Sequence, residues 1–161
     1  MKVEIRLFNE ADVQTCAALA ASSSLKAVYG FTEQGWFEKL CNAHKDPNNL
    51  LFVAWVGSEI AGFAWVHLKG AFLVAPYLRF IAVDPRFQGL GIGGLLLDEF
   101  EERTKHLGKS FFLLVSDFNV GAQRFYQKQG YQRVGELADF AVAGVAEVMM
   151  VKPNCQDGIC K

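Results

Sequence analysis

This chain lacks an excess of charge of either sign. Its 161 residues carry 16 lysines and arginines against 17 aspartates and glutamates, which gives a formal net charge of −1. A surface without surplus positive charge has no general electrostatic attraction for nucleic acid or for an anionic membrane. We therefore expect neither nucleic acid nor a membrane among its partners.

Long apolar runs are absent as well. No stretch approaches the roughly 20 apolar residues that a bilayer-spanning helix needs. The opening, Met-Lys-Val-Glu-Ile-Arg-Leu-Phe, lacks the uninterrupted apolar segment of a signal peptide. We therefore expect a cytoplasmic protein. The sequence also holds no internal repeat and no boundary within it, so we expect a single domain over residues 1–153 and a polar C-terminal tail over residues 154–161.

Cysteine is scarce and does not form a disulfide framework. Cys16 and Cys41 fall in predicted helices, where a small buried apolar side chain is the usual role. Cys155 and Cys160 lie in the polar tail, where two alternatives remain open: closing a small loop under oxidation, or joining a metal site with other ligands. No histidine or third cysteine stands beside them, so we expect no metal and no defined role for the pair.

Hydrophobic periodicity predicts an α+β protein with a mixed sheet. A nearly continuous apolar run over Ser110–Ser116 favours a strand buried on both faces, and the serine-rich stretch from Ser22 to Gly30 is typical of a connection. The predicted strands cover 2–8, 50–56, 60–68, 77–83, 110–116, 131–137 and 146–151, and the predicted helices cover 9–21, 32–43, a segment beginning at Gly91, and 119–130.

The most informative segment runs from Phe80 to Leu97 and reads Phe-Ile-Ala-Val-Asp-Pro-Arg-Phe-Gln-Gly-Leu-Gly-Ile-Gly-Gly-Leu-Leu-Leu. An apolar strand leads through a proline turn and a glycine-rich loop into an amphipathic helix. Gly89, Gly91 and Gly93 leave the backbone free of side-chain bulk, so its N–H groups can converge on an anion at the positive end of the helix dipole. The segment predicts a phosphate-binding loop.

Two nucleotide-binding patterns compete for this loop. The P-loop of nucleotide triphosphatases needs Gly-Lys followed by Ser or Thr, and here Gly93 is followed by glycine and leucine, which excludes it. The dinucleotide pattern G-x-G-x-x-G is satisfied by Gly89, Gly91 and Gly94, with Asp117 near the offset of a ribose-binding acid. Five residues separate this loop from its strand and only 44 residues follow Asp117, so a nicotinamide or flavin dinucleotide enzyme is retained as an alternative.

A second pattern follows one helix and one strand later. Residues 119–131 read Asn-Val-Gly-Ala-Gln-Arg-Phe-Tyr-Gln-Lys-Gln-Gly-Tyr, which predicts a short helix with Asn119 as its cap and Gly130 as its left-handed end. Ala122, Phe125 and Tyr126 share the face that points inward.

The two segments together resemble the GNAT superfamily of acyl-CoA-dependent N-acetyltransferases. Gln88-x-x-Gly91-x-Gly93 matches the family's Q/R-x-x-G-x-G/A loop, and residues 119–131 match its N-x-x-A-x-x-x-Y-x-x-x-G-F/Y segment. The resemblance implies a mixed, mostly antiparallel central sheet flanked by helices in three layers. It also implies transfer of an acetyl group from acetyl-CoA, as cosubstrate, to a primary amine by direct attack in a ternary complex.

The resemblance also implies roles for particular residues. The glycine loop would hold the pyrophosphate of CoA, the strand before it would pair with the pantetheine arm through its backbone, and Tyr126 would be the catalytic acid that protonates the departing thiolate. The cofactor-binding residues implied are Ile81, Ala82, Val83, Gln88, Gly89, Leu90, Gly91, Ile92, Gly93, Gly94, Asn119 and Tyr126.

The general base and the acceptor stay open. Some relatives carry an acid six positions before the counterpart of Val83, where this chain has Tyr77, which leaves His67, Glu33 or a water chain as candidates. The absence of an acidic cluster argues against polyamines and aminoglycosides. A small-molecule amine, an amino acid or a protein amine remains, as does a non-catalytic acyl-CoA sensor, and exposed edge strands are compatible with a homodimer. The aromatic residues expected around the acceptor are Tyr29, Phe31, Trp36, Phe37, Trp65, Phe72 and Tyr77.

Overall fold

A computed structural model of the protein describes residues 1–155, so Cys160 and the end of the predicted tail lie outside the described residues. The strands are β1 (Val3–Leu7), β2 (Asn49–Val56), β3 (Glu59–Ala71), β4 (Ala75–Val83), β5 (Ser110–Ser116), β6 (Gln132–Leu137) and β7 (Glu147–Pro153). The helices are α1 (Val13–Ala21), α2 (Lys26–Tyr29), α3 (Glu33–Lys45), α4 (Ile92–Thr104) and α5 (Val120–Lys128), with short 3-10 turns at Glu10–Asp12 and Pro85–Phe87.

The seven strands form one sheet in the order β1-β2-β3-β4-β5-β7-β6. Every neighbouring pair is antiparallel except β4 and β5, which run parallel. Parallel strands need a crossover connection, and α4 provides it between β4 and β5. The mixed, mostly antiparallel sheet predicted from the sequence is confirmed.

The sheet is the middle of three layers because its central strands alternate side chains between two cores. On β2, Phe52 and Ala54 pack with α4 and α5 on one face, whereas Leu51 and Val53 pack with α1 and α3 on the other. This period of two is what a strand covered by helices on both faces requires. None of the helices within residues 1–155 is long and apolar enough to cross a bilayer.

The sheet opens between β4 and β5. These strands pair only at Tyr77 with Phe112 and at Leu78 with Leu113, although β4 continues to Val83 and β5 to Ser116. An irregularity in the β3–β4 register lies at the same level, between Trp65 and Val66. A bulge bends its strand and strengthens the local twist, so β4 turns away from β5 and the second half of each strand faces a gap.

Two sequence predictions need correction. Strand β5 is not buried on both faces: Phe111, Leu113 and Val115 are buried in the core beneath α4, whereas Phe112 and Leu114 are half-buried because they line the cleft described below. The connection from Ser22 to Gly30 contains the short helix α2, which ends where Gly30 adopts the left-handed conformation, with φ of 64°.

The cysteines behave partly as predicted. Cys16 is fully buried in α1 and Cys41 is half-buried in α3, and both are free thiols. Cys155 is not a free thiol. Within the described residues no cluster of three or more histidine, cysteine, aspartate or glutamate side chains has the spacing to hold a metal ion.

Candidate active site

A cleft of about 1530 Å³ occupies the gap between β4 and β5. Its walls come from the second half of β4, the loop that leads into α4, strand β5 and helix α5. The cleft is extended by α2, by the β3–β4 hairpin at Gly70–Phe72 and by Phe140, Ala141 and Val142 of the β6–β7 connection. The parting of two neighbouring strands therefore creates a concave surface with the size and apolar lining of a ligand site.

The glycine loop forms one end of this cleft and presents unpaired amides. Gly89 and Gly91 have φ of 81° and 76°, the left-handed region that side chains with a Cβ rarely adopt. Gly91 caps α4 without a side chain, and the first helical hydrogen bond runs from Leu95 N–H to Gly91 O at 3.1 Å. The amides of the first helical turn, from Ile92 to Gly94, therefore have no intrahelical acceptor. Such a turn is a ready anion-binding site.

The predicted cofactor residues come together. Strand β4 supplies Ile81, Ala82 and Val83, whose edge toward β5 has no sheet partner. Of the twelve residues implied by the resemblance, eleven line the cleft; Leu90 is the exception, with a side chain that is 44% exposed outside it. The lining members are Ile81, Ala82, Val83, Gln88, Gly89, Gly91, Ile92, Gly93, Gly94, Asn119 and Tyr126.

Tyr126 is buried in the wall of the cleft, only 7% exposed. Its ring makes edge contacts with Phe125 and Tyr131, at centroid separations of 5.2 and 5.9 Å. Its hydroxyl makes no hydrogen bond to any group within residues 1–155. Burial, reinforced by the nearby Tyr77, raises the pKa of Tyr126 well above that of an ordinary phenol. Tyr126 is thus a neutral phenol with a free proton to donate.

Asn119 has the capping role predicted for it. Its side-chain oxygen accepts a hydrogen bond from Ala122 N–H at 3.3 Å at the start of α5. The residue is half-buried and lines the cleft, so its amide also faces the space between the strands. Capping fixes the direction of α5 and with it the position of Tyr126, two turns further along.

The candidate bases named from the sequence do not reach the cleft. Glu33 is exposed on α3 and accepts a hydrogen bond from Gln14, and His67 lies on β3 opposite Asn49 and Tyr77. Neither lines the cleft. Tyr77 does line it, at the point where β4 and β5 still pair.

Sequence reasoning missed Glu147. This residue begins β7 beside Ser116 of β5, and it is the one carboxylate among the described lining residues. It is 7% exposed and accepts a hydrogen bond from the hydroxyl of Tyr29, which also lies 2.6 Å from Ser116 Oγ. Burial and the hydrogen bond to Glu147 raise the pKa of Tyr29 to about 12. The signal was present, since Glu147 is a single charge in the apolar run Ala-Glu-Val-Met-Met-Val.

Most of the expected aromatic wall is present. Five of the seven aromatic residues line the cleft, whereas Phe37 and Trp65 do not. Trp65 instead donates from its indole N–H to Asn49 on the face covered by α3, at 2.8 Å. The lining members are Tyr29, Phe31, Trp36, Phe72 and Tyr77.

The sequence from Ala17 to Tyr131 matches the model of a known family, the Acetyltransferase (GNAT) family. The chain belongs to the GNAT family. It is 31% identical to the N-alpha-acetyltransferase RimI of Mycobacterium tuberculosis over 135 residues, which cover 83% of this chain and 80% of that protein. This membership makes the protein an acetyl-transferring enzyme.

Solved structures share the GNAT fold over almost the whole chain. The ribosomal-protein-S18-alanine N-acetyltransferase from Escherichia coli has a TM-score of 0.76 at 18% identity, covering 99% of this chain and 100% of its own. An aminoglycoside 6'-N-acetyltransferase complexed with coenzyme A also has a TM-score of 0.76, at 16% identity, covering 95% and 98%. At these identities the likeness concerns the fold.

The GNAT fold removes the support for the dinucleotide alternative. Each half of a dinucleotide-binding fold contains several parallel strands, with a glycine-rich turn directly after the first strand. In this sheet, within residues 1–155, β4 and β5 are the one parallel pair. Asp117 is engaged locally, accepting from Ala146 N–H at 3.2 Å and donating its own N–H to Ala146 O at 2.9 Å. Its carboxylate tethers the segment that leads into β7.

Proposed function

We propose that this GNAT protein transfers the acetyl group of acetyl-CoA to a primary amine by direct attack in a ternary complex. One observation carries the proposal: a single cleft joins the amides at the start of α4, which have no intrahelical acceptor, with the buried phenol of Tyr126, whose hydroxyl has no hydrogen-bond partner within residues 1–155. The first is suited to a pyrophosphate and the second to a leaving thiolate.

The residues of the loop and of β4 divide the binding of acetyl-CoA between them. Backbone N–H groups from Gln88 to Gly94 hold the pyrophosphate at the positive end of the α4 dipole. The unpaired edge of β4, from Ile81 to Val83, hydrogen-bonds the amides of the pantetheine arm as a missing strand would. Fixing both ends of the arm orients the thioester, which lowers the entropic part of the barrier.

Transfer then requires one bond to form and one to break. The neutral amine nitrogen attacks the thioester carbonyl carbon, and backbone N–H groups at the end of β4 stabilise the oxyanion that develops. When the carbon–sulfur bond breaks, its electron pair stays on sulfur, and the hydroxyl of Tyr126 protonates the thiolate. An acceptor that arrives as an ammonium first loses one proton to water in the open cleft, and the attacking amine then loses a second proton to water. The phenolate left at Tyr126 takes a proton back from water, which restores the site.

The acceptor is a small-molecule or peptide amine. The relative from Mycobacterium tuberculosis is an N-alpha-acetyltransferase, which favours an α-amino group. The cleft itself is lined mainly by aromatic and aliphatic side chains and holds one carboxylate among the described residues. Polyamines and aminoglycosides carry several positive charges and favour sites with several carboxylates, so they fit this cleft less well.

The experiment that tests the proposal is release of CoA thiol from acetyl-CoA with a panel of amines: 2-phenylethylamine, a peptide with a free N-terminal alanine, and spermidine. We expect thiol release that depends on one of the first two amines, together with an acetylated product found by mass spectrometry. Thiol release at the same rate without any amine, or an unmodified amine after full release, would contradict the proposal.

A further inference from the structure

Glu147 is a buried carboxylate that has no counter-ion among residues 1–155. It is 93% shielded from solvent, and none of the ion pairs between described residues includes it. Its side-chain partner is the hydroxyl of Tyr29, which is itself within hydrogen-bonding distance of Ser116 Oγ. A buried carboxylate is stable when it is paired and hydrogen-bonded, and here only the hydrogen bond is present.

The positively charged side chains that line the cleft within residues 1–155 contact aromatic rings and do not pair with Glu147. Lys39 Nζ lies over the rings of Trp36 and Phe31, at 5.2 and 5.9 Å from their centroids. Arg79 lies over the ring of Trp65 at 5.4 Å. These two side chains are the positive groups among the described lining residues, and neither pairs with Glu147. The carboxylate therefore faces the cleft with its charge uncompensated.

An apolar floor leads away from this charge. Ser116 lies opposite Glu147 in the β5–β7 register, and Leu114 lies opposite Met149 two residues further along. Because side chains two apart on a strand share a face, Leu114 and Met149 continue the surface that begins at Glu147. The half-buried ring of Phe112 extends it along β5.

We propose that Glu147 binds the ammonium group of the acceptor and that the acceptor is a monoamine whose nitrogen is carried by an apolar or aromatic group. This inference rests on the proposed function, because it assigns the acceptor end of the same cleft. The carboxylate binds the single positive charge of the acceptor, and the floor of Leu114, Met149 and Phe112 contacts the apolar or aromatic group that is attached to the nitrogen. A small arylalkylamine and a peptide N-terminus with an apolar first residue share this chemistry.

The test compares charged and neutral ligands of the same shape by calorimetry, with and without saturating CoA. One arm uses 2-phenylethylamine against 2-phenylethanol, and the other uses a peptide beginning with alanine against the same peptide N-acetylated. We expect the wild type to prefer the ammonium ligand of at least one arm by about tenfold or more, as a charge-assisted hydrogen bond implies. Glu147→Gln should abolish that preference, whereas Glu38→Gln, on the exposed outer surface of α3, should retain it.

Equal affinity of the wild type for the ammonium and neutral ligands in both arms would overturn the proposal, whether or not the Gln variant folds. A charge preference that survives in a folded Glu147→Gln variant would overturn it too, as would binding of spermidine more tightly than either monoamine. Failure of CoA to bind the wild type would instead refute the proposed function, and the titrations without CoA would still report on Glu147.

Discussion

Replacing Tyr126 by phenylalanine removes one oxygen atom from the wall of the cleft and leaves the ring in place. That oxygen makes no hydrogen bond within residues 1–155, so its loss leaves no protein group unsatisfied. We expect the free energy of unfolding to change by less than about 1 kcal/mol and the affinity for acetyl-CoA to stay close to wild type. The rate of acetyl transfer should fall by ~10²–10⁴-fold, the usual contribution of a general acid.

Tyr131→Phe is the matched control. Its ring lies 5.9 Å from that of Tyr126 and is just as buried, but its hydroxyl donates to Glu101 at 3.0 Å and does not line the cleft. Losing a hydrogen bond to a carboxylate costs about 1.5–3 kcal/mol, so this variant should be less stable with a kcat close to wild type. The assays are thiol release for kcat and urea unfolding for stability.

The pair separates catalysis from packing. A Tyr126→Phe variant that binds acetyl-CoA and transfers acetyl at the wild-type rate would refute the assignment of Tyr126 as the acid. A loss of stability in Tyr126→Phe as large as that in Tyr131→Phe would show that its hydroxyl is a structural group. Strong acetyl-CoA binding by a wild type that transfers acetyl to no amine would favour an acyl-CoA sensor.

Three further predictions follow from particular positions. Gly91→Ala should weaken acetyl-CoA binding by about tenfold in calorimetry, because a residue with a side chain is strained by roughly 1–2 kcal/mol at φ of 76°, even though its Cβ would meet nothing within 4 Å. Gly57→Ala is the control: at φ of 61° and in equally open space, it should carry similar strain in the β2–β3 turn and leave binding unchanged. Asn119→Ala should lose about 1 kcal/mol of stability and also bind acetyl-CoA more weakly. Thr32→Ala is the control, because it removes the cap of α3, whose hydroxyl accepts from Gly35 N–H at 3.0 Å, and should lose only stability. Equal acetyl-CoA affinity in both variants would exclude Asn119 from the site. All four tyrosines have pKa values raised above that of an ordinary phenol, so alkaline titration of the folded protein should show no tyrosinate absorbance until the pH exceeds ~10. The contribution of these tyrosines to stability should be full below that pH and fall as the pH rises through the raised values, and normal titration of the folded chain near pH ~10 would contradict this.

Local patterns predicted the parts of the site that depend on local structure. The cap at Asn119, the left-handed end at Gly130 and the inward face of α5 each depend on a few consecutive residues, so the sequence was sufficient to locate them. Tyr126 was identified through the resemblance of residues 119–131 to the GNAT segment, and its catalytic role stays a prediction. Leu90 was included by its place within the motif, but a position between two left-handed glycines turns its side chain out of the cleft.

Which strands pair across long stretches of sequence could not be predicted from local patterns. The brief parallel contact of β4 with β5, which opens the cleft, joins Tyr77 to Phe112 across a full helix. Glu147 enters the cleft because β7 pairs with β5 and brings it beside Ser116, while Tyr29 arrives from α2, more than a hundred residues earlier. Hydrophobic periodicity shows which face of a strand is buried but not which strands lie beside it. The cluster of Glu147, Ser116 and Tyr29 therefore becomes visible only in the folded structure.

Every role assigned above requires acetyl-CoA to occupy the cleft between β4 and β5. The decisive experiment is calorimetric titration of the wild-type protein with acetyl-CoA, beside oxidised and reduced NAD. We expect saturable binding of one acetyl-CoA per chain, weakened by Gly91→Ala and not by Gly57→Ala, with no response to either dinucleotide. Binding of a dinucleotide without acetyl-CoA, or acetyl-CoA affinity unaffected by Gly91→Ala, would contradict it.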